Sequence, residues 1–273
     1  MDYKSISPLA GRLLTYFNKR GQAAFAQKEA HDAIPDASYD SVRKLLSTMT
    51  TRGLLRRIKP GLYYIVPFER DPASFAPDWH VIADHLVAGV EHYIGYYSAL
   101  QVHNLITQPS LTEQVVVSKQ VRPSRGVFSN IRFQFIYLNE KHFFGSKKIW
   151  INAHDRLPCS DLEKTFIDCL FKPEYGGGIA EIAKAIYISK DKIHLDRLLD
   201  YARRFDSQAV IKRLGFLLET LGIGDRIIGD LLELRTGSYV SLDTELPESG
   251  RRISRWRIRQ NLDTETITSA IYT

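Results

Sequence analysis

The side chains best placed to do chemistry lie on one helical stripe near the start of the chain. Val42, Leu45, Leu46 and Met49 share a face at helical spacing, which at about 100° per residue turns Asp40, Arg43, Lys44, Ser47, Thr48 and Thr51 outward. Arginine and lysine donate to guanine edges or to phosphates, hydroxyls bond to either, and a carboxylate accepts from a cytosine amino group. Asp40 also stands in the first turn of this helix, where a carboxylate complements the positive end of the helix dipole. A second cluster, Arg56, Arg57 and Lys59, immediately precedes Pro60-Gly61, the position from which the wing of a DNA-binding module meets the backbone or the minor groove. A third lies near the end. Alternation along 251–259 puts Trp256 and Ile258 on one strand face and Arg255, Arg257 and Arg259 on the other. Such a ladder suits phosphates or an acidic surface, or else pairs internally with Asp243, Glu245 and Glu248.

Charge distribution supports a polyanion partner for the first of these regions. The chain of 273 residues carries a net charge of +6, and residues 1–66 hold 11 Lys and Arg against 5 Asp and Glu, while residues 67–273 hold 26 of each. All of the excess therefore sits in the first quarter, the asymmetry of a basic module joined to a neutral body. Arg203-Arg204 and Lys212-Arg213 read as a solvated face of a helix pair. No run of apolar residues is long enough for a membrane span, and no secretion signal opens the chain, so a cytoplasmic protein without a membrane partner is expected.

Catalytic patterns are weak by comparison. The histidines show no HExxH, and His80 and His85 have the wrong spacing for two ligands on one helical turn. Cys159 and Cys169 form neither a CxxC pair nor a zinc pattern. Gly176-Gly177-Gly178 lacks the following GK[ST] of a phosphate loop and reads as a helix break. Gly145-Ser146 matches the start of a nucleotidyltransferase signature, but no D-x-D follows to hold magnesium. Asp161, Glu163 and Asp168 share a helix on which Ser160 and Glu163 read as a capping box and Asp168 as solvated. No catalytic residue, metal or cofactor is expected, and the chain does not read as an enzyme.

The elements that would hold the basic clusters can be read in order. Ser7-Pro8 opens a helix over 8–20 that Gly21 stops. A short apolar piece at 23–25 leads to a helix over 27–33, which Pro35 ends. Ser38 caps the helix bearing Arg43, and Gly53 closes it. Strands at 54–58 and 62–66 flank Lys59-Pro60-Gly61. This is the order of a winged helix-turn-helix over residues 1–66. Residues 67–80, with Pro72 and Pro77, read as a linker. Residues 81–273 read as a larger mixed α/β domain, with strands near 114–117, 131–138 and 148–151, several helices between 160 and 234, and strands at 239–242 and 252–259. The fold class is α+β.

In this order of features the chain resembles the AbiEi-type antitoxins of abortive-infection, type IV toxin-antitoxin systems. The resemblance is carried by Gly53–Tyr64, by Tyr93–Leu100 with His103-Asn104-Leu105, and by Ser160–Asp168 followed by Pro173 and the glycine run. It implies a winged helix that binds inverted repeats in operator DNA and represses its own operon. It also implies a C-terminal domain that counters a nucleotidyltransferase-like toxin without a stable complex. Arg43, Lys44, Ser47, Thr48, Thr51, Arg56, Arg57 and Lys59 are the expected DNA contacts, with Arg255, Arg257 and Arg259 as a second basic surface. A ligand-responsive repressor with a sensor domain, or a nucleic-acid-processing enzyme delivered by its winged helix, are the alternatives.

Overall fold

The computed structural model describes residues 6–106, 108–128, 131–151 and 155–272. Ser7 caps the first helix, its Oγ accepting from the Ala10 amide at 3.3 Å, with Pro8 at the first helical position. The first unit, Met1–Gly89 with Trp150–Leu157, contains α1 (Pro8–Asn18), β1 (Ala24–Ala26), α2 (Gln27–Ala33), α3 (Tyr39–Thr51), β2 (Leu55–Lys59), β3 (Leu62–Ile65) and α4 (Trp79–Leu86). Its strands are ordered β1-β3-β2, all antiparallel, the topology of a winged helix-turn-helix. The apolar piece after α1 is a strand because Ala24 and Phe25 pair with Tyr64 and Tyr63. This brings the Phe25 ring within 4.1 Å of Phe17, stacked, and within 6.1 Å of Tyr63. Leu13, Phe17, Val42, Leu46, Met49 and Leu55 complete this core.

Residues 67–80 are not a free linker. Arg56 donates to the Phe75 carbonyl, the Phe75 ring lies 5.7 Å from Tyr64, and Asp78 caps α4. A run with two prolines shows no periodicity, yet it packs through these separate contacts, and the first unit extends to Gly89 rather than ending at 66.

The second unit, Val90–Ile149 with Pro158–Thr273, holds β4 (His92–Ile94), α5 (Tyr96–Val102), β5 (Thr112–Val117), β6 (Arg125–Phe128), β7 (Ile131–Tyr137) and most of β8 (Ser146–Trp150) and β9 (Arg156–Ser160). These strands form a mixed sheet ordered β6-β7-β5-β4-β9-β8, parallel at β5/β7 and β4/β9. Then follow α6 (Leu162–Phe171), α7 (Gly178–Ile188), α8 (Leu195–Phe205), α9 (Gln208–Leu221), α10 (Asp225–Leu234), β10 (Val240–Ser241), β11 (Arg251–Ile253), β12 (Ile258–Gln260) and α11 (Thr264–Ser269). The core runs from Tyr93, Tyr96 and Leu100 through Phe166 and Leu170 to Leu214, Leu217 and Trp256. Gly215 is required by close approach: a Cβ there would stand 2.0 Å from the Trp256 ring, whose Nε1 donates to Glu219 at 2.7 Å. Among the described residues no helix is long and apolar enough to cross a membrane.

Three readings of polar residues change in this unit. Asp161 rather than Ser160 caps α6, while Glu163 accepts from the His194 amide and Arg197 Nε. Asp168 is fully buried against Lys164 and Tyr93. Lys212 and Arg213, expected on a solvated face, are buried because carbonyls at Ser238 and Ser241 accept from them. The glycine run does break the helices, between α6 and α7, and the Asp243 carboxylate accepts from the Ile179 amide at 2.9 Å, so the start of α7 is already satisfied.

Two histidines are expected to make this unit acid-sensitive. His103 Nε2 donates to the Ser160 carbonyl at 2.8 Å, and His142 Nε2 donates to the Phe205 carbonyl at 3.0 Å while stacking on its ring. Burial lowers both pKa values below the ordinary 6.5, and the carbonyl bonds offset this only in part. The unfolded chain therefore binds more protons between the ordinary and lowered values. What these two histidines contribute to stability is present in full above about pH 6.5 and is lost as pH falls through that window. Melting temperature is expected to drop between about pH 7 and pH 5.5 at fixed ionic strength, with a flatter profile for His103→Gln/His142→Gln. A wild-type profile flat until carboxylates titrate would exclude the histidines as its cause.

Candidate nucleic-acid interface

α3 is held by its cap and by its neighbours. Ser38 Oγ accepts from the Ser41 amide at 3.2 Å. Arg12 of α1 makes a two-pronged bond to Asp36, at 2.7 and 2.8 Å, in the turn between α2 and α3. Both partners are exposed, so the pair contributes little stability; it links α1 to the turn that precedes α3. At the other end Gly61, with φ of +81°, turns the wing, and its carbonyl accepts from the Gln27 amide at 2.7 Å.

A concave surface of about 440 Å³ results, lined by Gln27, Arg43, Lys44, Ser47, Thr50, Thr51, Arg57 and Tyr63. Of the expected contacts, Arg43, Lys44, Ser47, Thr51 and Arg57 converge on it. Arg43 lies 3.5 Å from Asp40, both exposed, so Asp40 serves as a first-turn carboxylate that also orients Arg43. Among the described residues no carboxylate pairs with Lys44 or Arg57. Thr48 is exposed beside this surface and bonds back to the Lys44 carbonyl at 3.0 Å. Lys59 is exposed next to the wing turn.

Arg56 does not join them. It pairs across the strands with Tyr64, and Arg57 with Tyr63, so the two arginines leave opposite faces of β2. Arg57 is fully on the α3 side, while Arg56 is half-buried against Phe75. Three lining residues were missed. Thr50 sits three positions after Ser47 and seven after Arg43, on the same stripe. Tyr63 is the cross-strand partner of Arg57. Gln27 carried no local signal, since only its bond to the wing turn places it.

The arginine ladder at 255–259 does not form. The strand breaks into β11 and β12 around a turn in which Arg257 is left-handed, with φ of +53°. Arg255 pairs with Glu219 at 2.7 Å and Arg259 with Glu248 at 3.4 Å, whereas Arg257 lies over Tyr239. Arg255 and Arg259 are thus engaged by separate carboxylates, Glu248 being one of the expected internal partners.

The second unit offers a cleft of about 880 Å³ lined by, among others, Tyr97, Gln114, Arg125, Glu174, Glu181 and Lys184. Among the described residues no cluster of three or more His, Cys, Asp or Glu can hold a metal ion.

No family profile and no curated protein matches the chain. Its fold is similar to the crystal structure of the RV2827C protein from Mycobacterium tuberculosis, with a TM-score of 0.71 at 12% identity over 98% of this chain and 96% of that one. At that identity the likeness shows the fold alone.

Proposed function

We propose that this chain is a cytoplasmic DNA-binding repressor of its own operon that also acts as the antitoxin of a type IV, abortive-infection system. One observation carries the DNA half: Arg43, Lys44, Ser47 and Thr51 of α3 and Arg57 of the wing line a single concave surface. Helix and wing then present donors for base edges and for phosphates side by side. The antitoxin half rests on the resemblance to AbiEi-type antitoxins, with inverted-repeat operator DNA and a nucleotidyltransferase-like toxin as the partners. No catalytic role is part of this reading.

The test separates base readout from backbone contact. Arg43→Ala or Lys44→Ala is expected to weaken binding to the operator by about 1–3 kcal/mol, roughly 5- to 150-fold, and to random duplex much less. Arg57→Ala is expected to weaken both alike. Arg56→Ala is expected to leave both near wild type, because its guanidinium is engaged with Phe75. Equal losses for Arg43 and Arg57 on both duplexes would show that α3 does not read bases.

The polar cleft of about 880 Å³ supports a second reading, a ligand-responsive repressor. Co-expression distinguishes the two. Protection of cells from the neighbouring toxin by a chain that cannot bind operator supports the antitoxin. Release of operator by a low-molecular-weight cell fraction, without protection, supports the sensor.

A further inference from the structure

Four basic side chains gather around the loop after α10 without a carboxylate partner among the described residues. Lys212 of α9 is buried, and its Nζ donates to Thr236 Oγ1 at 3.2 Å, to the Ser238 carbonyl at 2.7 Å and to Ser238 Oγ at 3.1 Å. Arg235 and Arg257 stand near enough that their charges push the Lys212 pKa down, in addition to the larger effect of its burial. Arg257 and Arg252 both lie over the Tyr239 ring, at 5.6 and 5.4 Å. Among the described residues no carboxylate pairs with any of these four cations. The Nε atoms of Arg235 and Arg257 are withdrawn from the surface and have no acceptor there. A side-on contact to an anion uses Nε–H together with Nη–H, and would give these two Nε–H groups the acceptor they lack.

The surroundings are organised for this. Gln208 grips the loop on both sides, donating to the Leu234 carbonyl at 3.0 Å and accepting from the Thr236 amide at 2.6 Å. Thr236 Oγ1 and Ser238 Oγ each accept from Lys212 and lie 3.1 Å apart. One of their two protons bridges that gap, which leaves the other hydroxyl free to donate outward. Arg257 is held left-handed, a conformation that is unfavourable for a non-glycine residue and persists where its surroundings impose it. The Val240 amide donates to its carbonyl at 3.1 Å. The C-terminal end of α10 accounts for one cation beside it, Arg235, and not for four.

We propose that Arg235, Arg257, Thr236 and Ser238, with Lys212 beneath them, form a site for a phosphate group. Its source is either a phosphomonoester, free or on a nucleotide, or the diester backbone of a nucleic acid. The inference does not depend on the reading of α3 as a DNA-contacting helix.

Titration calorimetry of the full chain tests it, with potassium phosphate, a nucleoside 5′-monophosphate and a dinucleotide phosphodiester as separate probes at matched ionic strength. Saturable binding of inorganic phosphate is expected, weakened about tenfold or more by Arg235→Gln and further by Arg235→Gln/Arg257→Gln. Arg235→Gln alone avoids the strained turn, and an unchanged melting temperature in chloride certifies its fold. Binding of the monophosphate but not the diester assigns a phosphomonoester, and binding of the diester assigns a nucleic-acid backbone. Because phosphate also stabilises proteins non-specifically, heats that never saturate, or that are identical in wild type and Arg235→Gln, would overturn the site.

Discussion

Truncating either partner of the Lys164–Asp168 pair is expected to cost the second unit about 3–5 kcal/mol. Both side chains are fully buried and lie four residues apart on α6. Tyr93 of β4 closes the group, its hydroxyl donating to Asp168 at 2.9 Å while accepting from Lys164 Nζ at 2.9 Å. The ammonium also sits 5.0 Å from the Phe144 ring centre and 5.3 Å from those of Tyr93 and Phe205. Burial drives each group toward its neutral form, Lys164 down and Asp168 up, and chiefly the partner's charge opposes it. Lys164→Met removes that opposition and leaves an unpaired carboxylate, whose folded pKa rises further above its unfolded value. Its deficit is therefore present at neutral pH and narrows as acid protonates Asp168. Lys164→Met/Asp168→Leu is expected to recover most of the loss, since apolar replacement of a whole buried pair is often neutral or stabilising. Hydrogen exchange of the α6 amides in denaturant reads this unit directly. A double variant no better than the singles would show that the damage comes from packing and not from charge.

That pair also marks where pattern reading stopped. Asp168 read as solvated because a carboxylate on a helix usually is, and nothing near it in sequence announces Tyr93, 75 residues away. Lys212 and Arg213 were misread for the same reason, since their acceptors lie 26 and 28 residues on. The winged helix was legible because its signals are local: Ser7-Pro8, the Ser38 cap, the Val42–Met49 stripe and the Lys59-Pro60-Gly61 turn each act within a few residues. Within the interface, helical period alone placed Arg43, Lys44, Ser47 and Thr51. Period two separates Arg56 from Arg57, yet a cluster of three basic residues drew them together. At 251–259 the period-two pattern was extended through residues 254–257, where the chain turns at left-handed Arg257. No periodicity encodes a positive φ on an arginine, and that same residue went from a supposed ladder to the cation cluster around Tyr239.

Operator binding by the full chain is expected to fall by on the order of a thousandfold between about 50 and 200 mM salt, if about six phosphates are neutralised. The argument runs from charge to counterions. The net charge of +6 falls within the first 66 residues, and Arg43, Lys44 and Arg57 line the surface between helix and wing, with Lys59 exposed at its edge. Every phosphate they neutralise releases condensed cations, so the slope of log affinity against log salt counts the contacts. Arg57→Ala should lower that slope by about one, because a wing residue on a phosphate has no base partner to retain. Arg43→Ala should change operator affinity more than slope if it meets a base edge. Arg56→Ala should leave the slope alone, which makes it the internal control for charge removed from β2 but not from the interface. A flat salt dependence of the wild-type chain would mean that this surface does not face a polyanion. The charge excess of residues 1–66 would then not mark a nucleic-acid partner.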